Sequence, residues 1–432
     1  MTKTMNVMDV ERKKEHTYMP LIFCAIVFFS LLLLRDSYSV GINKYIFLVI
    51  VCLSAVCMKM THLIYLFCFL FPLYVGLPGN YLTLILLVRL LFDIHHVKAS
   101  SFIITMVIAA YILLQNFFTG HTGIVPMMFI AGVILVLLLF TYKQNLDPFP
   151  MIMMYSAGVA SLGLIMLIST LQVYDFSDLM SVAFRLGMGG VNYVEKGIMN
   201  VSIDPNFYGM YSIAAISLSF PYIFRLETKL ITKVCLICFA IVQMVVALVG
   251  LSRAFVLVFV VWILLYLLHL LLQRNFKDAM IVAVILTAIM VFLFTFLPDV
   301  IETVLERFDD SDMVTGNGRI TLIEKYVDEW GKNIFTIFFG VGLYNCNVHC
   351  TPLQFLFGGG LILFVMMVAL VLSYRTTKTK KMKLFDYLPL IVTFISLCTV
   401  PAATLINSMF PLILIGLCMN HTKKRIEKEN QE

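Results

Sequence analysis

The chain has 432 residues, 61% of them apolar and 13% charged, with a mean hydropathy of +0.96. Soluble domains are about 45–50% apolar, so this composition excludes a soluble globule, a disordered chain and a disulfide-rich secreted domain. The apolar runs are long and continuous, which also excludes a transmembrane barrel with its short alternating segments. What remains is an all-α, polytopic integral membrane protein.

In chain order, residues 1–17 form a basic tail with Lys3, Arg12, Lys13 and Lys14. An apolar run from Tyr18 to Leu34 follows and ends at Arg35-Asp36 without a small-residue cleavage site. It reads as an uncut first membrane helix. A spanning helix needs about 20 apolar residues. Spans are predicted at 18–34, 45–60, 101–118, 124–141, 151–171, 204–224, 232–250, 253–272, 279–297 and 352–373. Residues 62–92 are broken at Gly76-Leu77-Pro78-Gly79-Asn80 and read as two short helices. Residues 386–419 carry Pro401 in the middle and read as a hairpin. The total is about 12–14 transmembrane helices.

The resulting plan has an N-terminal bundle (18–171), a long external loop (172–203) and central helices (204–297). A second long external loop (298–351), C-terminal helices (352–419) and a tail (420–432) follow. In the second loop Ile323, Tyr326, Val327, Trp330 and Ile334 recur at helical spacing. This predicts an amphipathic helix over 319–337, lying on the membrane surface.

The net charge of +6 says little as a total, but its distribution sets the orientation. With the N-terminus inside and the spans alternating, 22 of the 31 Lys and Arg fall on the inner side. The positive-inside rule therefore makes both termini cytoplasmic, with the basic cluster between Arg375 and Lys383.

Three helices begin on the outer side with sharp start signals. Asp204-Pro205-Asn206 offers a cap followed by Pro, Ser252 caps a helix opening at Arg253, and Thr351-Pro352 again offers cap then Pro. The positive ends of these helix dipoles face the outer surface. Arg253, Arg319 and His349 lie at or near such starts, so the outer face carries the makings of an anion site, a pyrophosphate above all. Two readings of Arg253 stand side by side, phosphate binding and snorkelling to headgroups; His349 is a functional imidazole or an ordinary loop residue.

Asp309, Asp310 and Asp312 begin like a calcium loop, but Val314 breaks the pattern, leaving a solvated face. Cys346, His349 and Cys350 lack a fourth ligand, so no metal site is read here. Cys346 and Cys350 are the two external cysteines of this topology. They pair as a disulfide if the compartment is oxidising and the geometry allows it.

The order of these features resembles the O-antigen polymerase and O-antigen ligase superfamily, which includes Wzy-type capsule and exopolysaccharide polymerases. The features are Asp204-Pro205-Asn206, Ser252-Arg253-Ala254, Gly318-Arg319, Trp330, Gly340-Val341-Gly342, His349 and Gly358-Gly359-Gly360. Members often have Asn after the His, where this chain has Cys350, and a small residue such as Gly at the position of Ala254.

The resemblance implies a GT-C-like fold and a metal-independent glycosyltransferase without a cofactor, in a bacterial cytoplasmic membrane. Its implied partners are undecaprenyl-pyrophosphate-linked oligosaccharide and the bilayer, with a chain-length regulator and a flippase, and no nucleic acid. It assigns His349 as catalytic base and Arg253, Arg319 and Arg185 to the pyrophosphate, with Asp204, Asn206, Ser252 and Trp330 in support. Polymerisation into O-antigen, capsule or exopolysaccharide is the first reading and ligase-type transfer of finished polymer the second. A transporter or flippase without covalent chemistry is the third. It wants ionisable residues along the helices, and the mid-helix segments here are nearly free of charge.

Overall fold

The computed structural model describes residues 2–172 apart from 78, 98 and much of 121–145, and residues 203–296 apart from 225–228 and 251. It further describes residue 302, residues 319–373 apart from 344, residues 387–400 and scattered positions of 411–418. Among the described residues every regular element is helical, and one isolated antiparallel bridge joins Val97 to Tyr142.

The helices are α1 (Thr2–Asp36), α2 (Tyr45–Cys57), α3 (Met60–Leu70), α4 (Gly79–Phe92), α5 (Ala99–Phe118) and α6 (Pro148–Leu171). They continue with α7 (Pro205–Phe224), α8 (Leu230–Val249), α9 (Arg253–Leu272), α10 (Phe276–Phe296) and α11 (Arg319–Gly331). The last are α12 (Ile334–Phe339), α13 (Thr351–Phe357), α14 (Gly360–Ser373) and α15 (Leu388–Leu397). Short 3-10 turns occupy Pro72–Gly76 and Ile94–His96.

Against the 12–14 spans expected, four helices among the described residues are long and apolar enough to cross a membrane. They are Tyr18–Asp36, Pro148–Leu171, Leu230–Val249 and Arg253–Leu272. Other apolar helices are shorter: α3 has 11 residues, about 16 Å at 1.5 Å per residue, against a hydrocarbon core of about 30 Å. The break after α3 follows the expected two short helices. Two other segments break where a single helix is expected. The run 352–373 parts at Gly358-Gly359-Gly360 into α13 and α14. The stretch 319–337 parts at Asn333, whose side chain and that of Thr336 cap each other's backbone and start α12.

Polar contacts join helix ends in two groups. At one end the buried pair Arg35–Asp36 reaches the Gly76 carbonyl at 2.7 Å, and the Ser37 hydroxyl meets that of Ser169 at 3.0 Å. At the other end Arg89 donates to the Ala55 carbonyl, and the Asp147 backbone N–H donates to the Tyr65 hydroxyl. The Arg35 carbonyl partner explains how a Gly/Pro break is tolerated in an apolar setting: protein groups satisfy it.

The core centres on α6 and α7. In an 18-residue stretch of α6, 67% of residues are buried, against 22–28% in the other three spans, whose free faces suit lipid. Helices in a membrane associate through small residues and close packing. Gly158 of α6 lies against the backbone of Phe69, where a Cβ would come 2.2 Å from the carbonyl oxygen. On α7 the run Tyr208–Leu218 is almost wholly buried. Helices α7 and α9 both pack on α15, which brings the far C-terminal segment to the middle of the bundle.

Candidate functional site at one end of the bundle

The starts of α7 and α9 meet. The Asp204 carboxylate accepts from the Asn206 backbone N–H at 2.8 Å, the local bond expected of a helix cap. Ser252 caps α9, accepting from the Phe255 backbone N–H at 3.2 Å. Its hydroxyl also donates to the Asn206 side-chain oxygen at 3.0 Å. Asp204, Asn206 and Ser252 thus form one bonded chain, with half-buried Arg253 next to it in sequence.

The segment Gly340–Cys350 comes to the same end, held by a frame of backbone and side-chain bonds. The backbone N–H groups of Val341 and Gly342 donate to the carbonyls of Phe357 and Gly358, both at 2.9 Å. Gly340 and Gly360 have φ of +78° and +74°, a region that disfavours side chains. A Cβ at Gly340 would lie 2.2 Å from the Gly358 carbonyl oxygen. Helix α5 locks this crossing: Gln115 donates to the Phe339 and Gly358 carbonyls at 2.5 and 2.7 Å, and Tyr111 donates to Gly359 at 2.7 Å. Tyr326 donates to the Asn345 carbonyl at 2.6 Å, and Gln354 to that of Leu343 at 3.1 Å.

On this frame His349 sits half-buried in the left-handed backbone region, at φ +50°. Burial holds its imidazole below the usual pKa of 6.5, and the positive charge of Arg319 pushes the same way while Asp204 opposes both. The structure therefore brings His349, Arg319 and Asp204 within electrostatic reach of one another. The three arrive from chain positions up to 145 residues apart. A neutral imidazole beside a fixed guanidinium is able to accept a proton near neutral pH.

Trp330 supports the frame rather than the cluster. Its indole N–H donates to the Ile337 carbonyl at 3.1 Å, and its ring packs on Phe357. Arg185 and the Asp309–Asp312 run lie outside the described residues.

Two sequence expectations change here. Thr351 is not a cap: Cys350 takes that position, and the Thr351 hydroxyl donates instead to the Val400 carbonyl at 2.9 Å. With only seven residues, α13 has little dipole to offer an anion. The expected partner of Cys350 also changes. Cys346 is fully buried against Tyr326, Val348 and Phe357, and its thiol is free. Cys350 instead hydrogen-bonds the thiol of Cys398, the residue that caps the end of α15. That bond pulls the Cys350 thiol down to about 7, aided by the Leu353 N–H and by Arg319, and opposed by burial. Cys398 escaped sequence reasoning because its approach to Cys350 is tertiary; most of the hairpin expected over 386–419, Pro401 included, lies outside the described residues. Gln115 and Tyr111 gave no signal either, since their partners are all backbone carbonyls.

The chain matches no protein-family model, no curated protein and no solved structure in these comparisons.

Proposed function

We propose that this protein polymerises undecaprenyl-pyrophosphate-linked oligosaccharide repeat units at the outer face of a bacterial cytoplasmic membrane, as a GT-C-like glycosyltransferase. The observation that carries the reading is the convergence of His349, Arg319 and Asp204 at the bundle end where Ser252 introduces Arg253. In the proposed step the acceptor hydroxyl attacks the anomeric carbon of the donor sugar. The bond from that carbon to the pyrophosphate oxygen breaks, and the hydroxyl proton passes to the neutral imidazole of His349.

The leaving group is already an activated diphosphate, so the main task is to stabilise its growing charge. Arginine suits this because its planar fork grips phosphate oxygens in pairs. Arg319 and Arg253 take that role. Asp204 keeps the imidazole basic enough to accept a proton in spite of its burial. Helices nearly free of charge between the two ends favour this reading over a transporter, which needs ionisable groups along its path. Ligase-type transfer of finished polymer uses the same donor chemistry and differs in the acceptor.

The test is in vitro polymerisation of undecaprenyl-pyrophosphate-linked repeat units by purified protein in EDTA. Loss of a positioned base costs about 10²–10⁴-fold in rate, so His349→Ala folds, binds donor and makes almost no polymer. Arg319→Lys keeps the charge but loses the fork and falls sharply as well. Near-wild-type polymer from His349→Ala removes the base from the mechanism. Absence of any polymer from wild-type protein, with transfer to a separate lipid acceptor instead, selects the ligase.

A further inference from the structure

A second polar cluster lies at the opposite end of α5. Asp93 follows the end of α4 and caps a single 3-10 turn, Ile94–His96. Val97, the next residue, pairs with Tyr142, which pins the turn to a distant part of the chain. The Tyr142 hydroxyl donates to Asp93 Oδ2 at 2.6 Å. This bond fixes the carboxylate and leaves Oδ1 for another partner. Oδ1 lies 3.9 Å from Nε2 of the exposed His95. The rings of His95 and His96 are 4.0 Å apart, and His96 packs edge-on against Tyr142.

One ligand atom from each of Asp93, His95 and His96 lies within 4.8 Å of the others. Around a single zinc-like ion, with bonds of about 2.0–2.2 Å, neighbouring ligand atoms sit roughly 3–3.5 Å apart. The His95 Nε2 to Asp93 Oδ1 distance of 3.9 Å is a few tenths of an ångström beyond that spacing. His95 is exposed and free to swing inward. The two imidazole rings lie in contact and face the carboxylate. A shared divalent ion satisfies all three at once. The hydroxyl behind the carboxylate is the outer-shell bond that commonly orients a metal ligand. The positive charge of Arg89 reaches Tyr142 and opposes a cation, which moderates the affinity.

We propose that Asp93, His95 and His96 bind one divalent transition-metal ion, with water completing its coordination, at the end of the bundle away from His349. Two imidazole nitrogens and one carboxylate oxygen select zinc, cobalt, nickel or copper over calcium and magnesium. The ion holds the two imidazoles of the 3-10 turn to the carboxylate that precedes them. This site is independent of the glycosyl-transfer reading and takes no part in that chemistry.

The experiment is a cobalt and zinc titration of the full chain in detergent after chelator treatment. Wild type binds one equivalent of Co²⁺ with ligand-field bands and no thiolate charge-transfer band, and Zn²⁺ displaces it. Asp93→Asn, His96→Ala and His95→Ala each weaken binding at least about tenfold, as does Tyr142→Phe through the outer shell. His95 is exposed, so His95→Ala keeps its fold. Zn²⁺ therefore raises the thermal midpoint of wild type and leaves that of His95→Ala unmoved. Unchanged affinity in His95→Ala and His96→Ala overturns the proposal. So does a thiolate charge-transfer band, which places the ion at Cys350 and Cys398.

Discussion

At the bundle end that carries His349, the polar groups arrive from three remote stretches around positions 204, 319 and 349, and a scaffold of backbone bonds holds them. At the other end, Asp93, His95 and His96 come from one turn and need only Tyr142 to fix them. Helix α5 links the two ends: its start follows the His95-His96 turn, and Gln115 near its finish clasps the Gly358 carbonyl. Over its 20 residues it spans about 30 Å. The difference teaches where fragility lies. An assembled site depends on every strut of its frame, whereas a local turn depends on its own residues and one partner.

The sharpest way to break this contrast is to overfill the frame. Gly340→Ala places a Cβ against the Gly358 carbonyl at a backbone angle that side chains rarely adopt. Strain and overpacking together cost about 3 kcal/mol or more. The expected outcome is a lower thermal midpoint and loss of polymer, while cobalt binding at Asp93 survives. If Gly340→Ala leaves both the midpoint and the polymer intact, the frame is not what positions His349.

What was legible in the sequence divides along the same line. Helix starts at Asp204 and Ser252 were readable because a cap acts on the next two or three residues. The Gly340 and Gly358–Gly360 punctuation was visible, but not that the two meet. The broken pair in 62–92 was readable from its Gly/Pro run, whereas the split of 352–373 was not, because three glycines inside an apolar run do not by themselves end a helix. The partner of Cys350 lies 48 residues away, just past α15, beyond any spacing argument. The Asp93-x-His95-His96 spacing is local and visible in the sequence, but the Tyr142 hydroxyl that fixes its carboxylate comes from 49 residues away.

A gentler change removes one strut. Gln115→Leu keeps the size of the side chain and deletes its two bonds. The Gly358 carbonyl retains the Gly342 N–H as a partner, so the cost is about 1–2 kcal/mol. Turnover falls more than stability because the His349 segment loosens. The matching change at the other end, Tyr142→Phe, costs about 1 kcal/mol and leaves polymer formation unchanged. Thermal unfolding and polymer assays on the two variants, run side by side, check this asymmetry. Equal loss of polymer from both changes makes α5 a coupling rod between the ends rather than a passive link.

Cys350 reports on the same frame by its reactivity. Its thiol is drawn down to about 7 by the hydrogen bond from Cys398, whereas burial lifts Cys346 to about 12. The thiolate is the nucleophile. Maleimide should therefore label Cys350 rapidly at pH 7 and leave Cys346 untouched. Cys398→Ala removes the supporting bond, moves the Cys350 midpoint upward and slows its labelling at pH 7. Mass spectrometry of peptides after timed alkylation reads both. In intact cells a membrane-impermeant maleimide that labels Cys350 fixes this end as the outer one, and labelling only after lysis reverses the orientation.

The smallest effect concerns the proton on His349. Burial, then Arg319, lowers its pKa, and Asp204 raises it. Because the folded value lies below the unfolded value of about 6.5, the neutral imidazole persists as pH drops from 7 to 6.5. Polymerisation is expected to hold over that interval and to fall only as pH passes through the lowered value. For stability the sign is the same: below about pH 6.5 the unfolded chain takes up a proton that the folded one resists. Stability therefore declines on acidification until the folded imidazole also titrates. NMR of the imidazole protons separates the causes. Asp204→Asn removes the one raising influence and moves the midpoint further down. Arg319→Met moves it up but still short of 6.5, because burial is the larger cause. A midpoint above 6.5 in wild type, or one that ignores both substitutions, would mean that the three groups do not share one site.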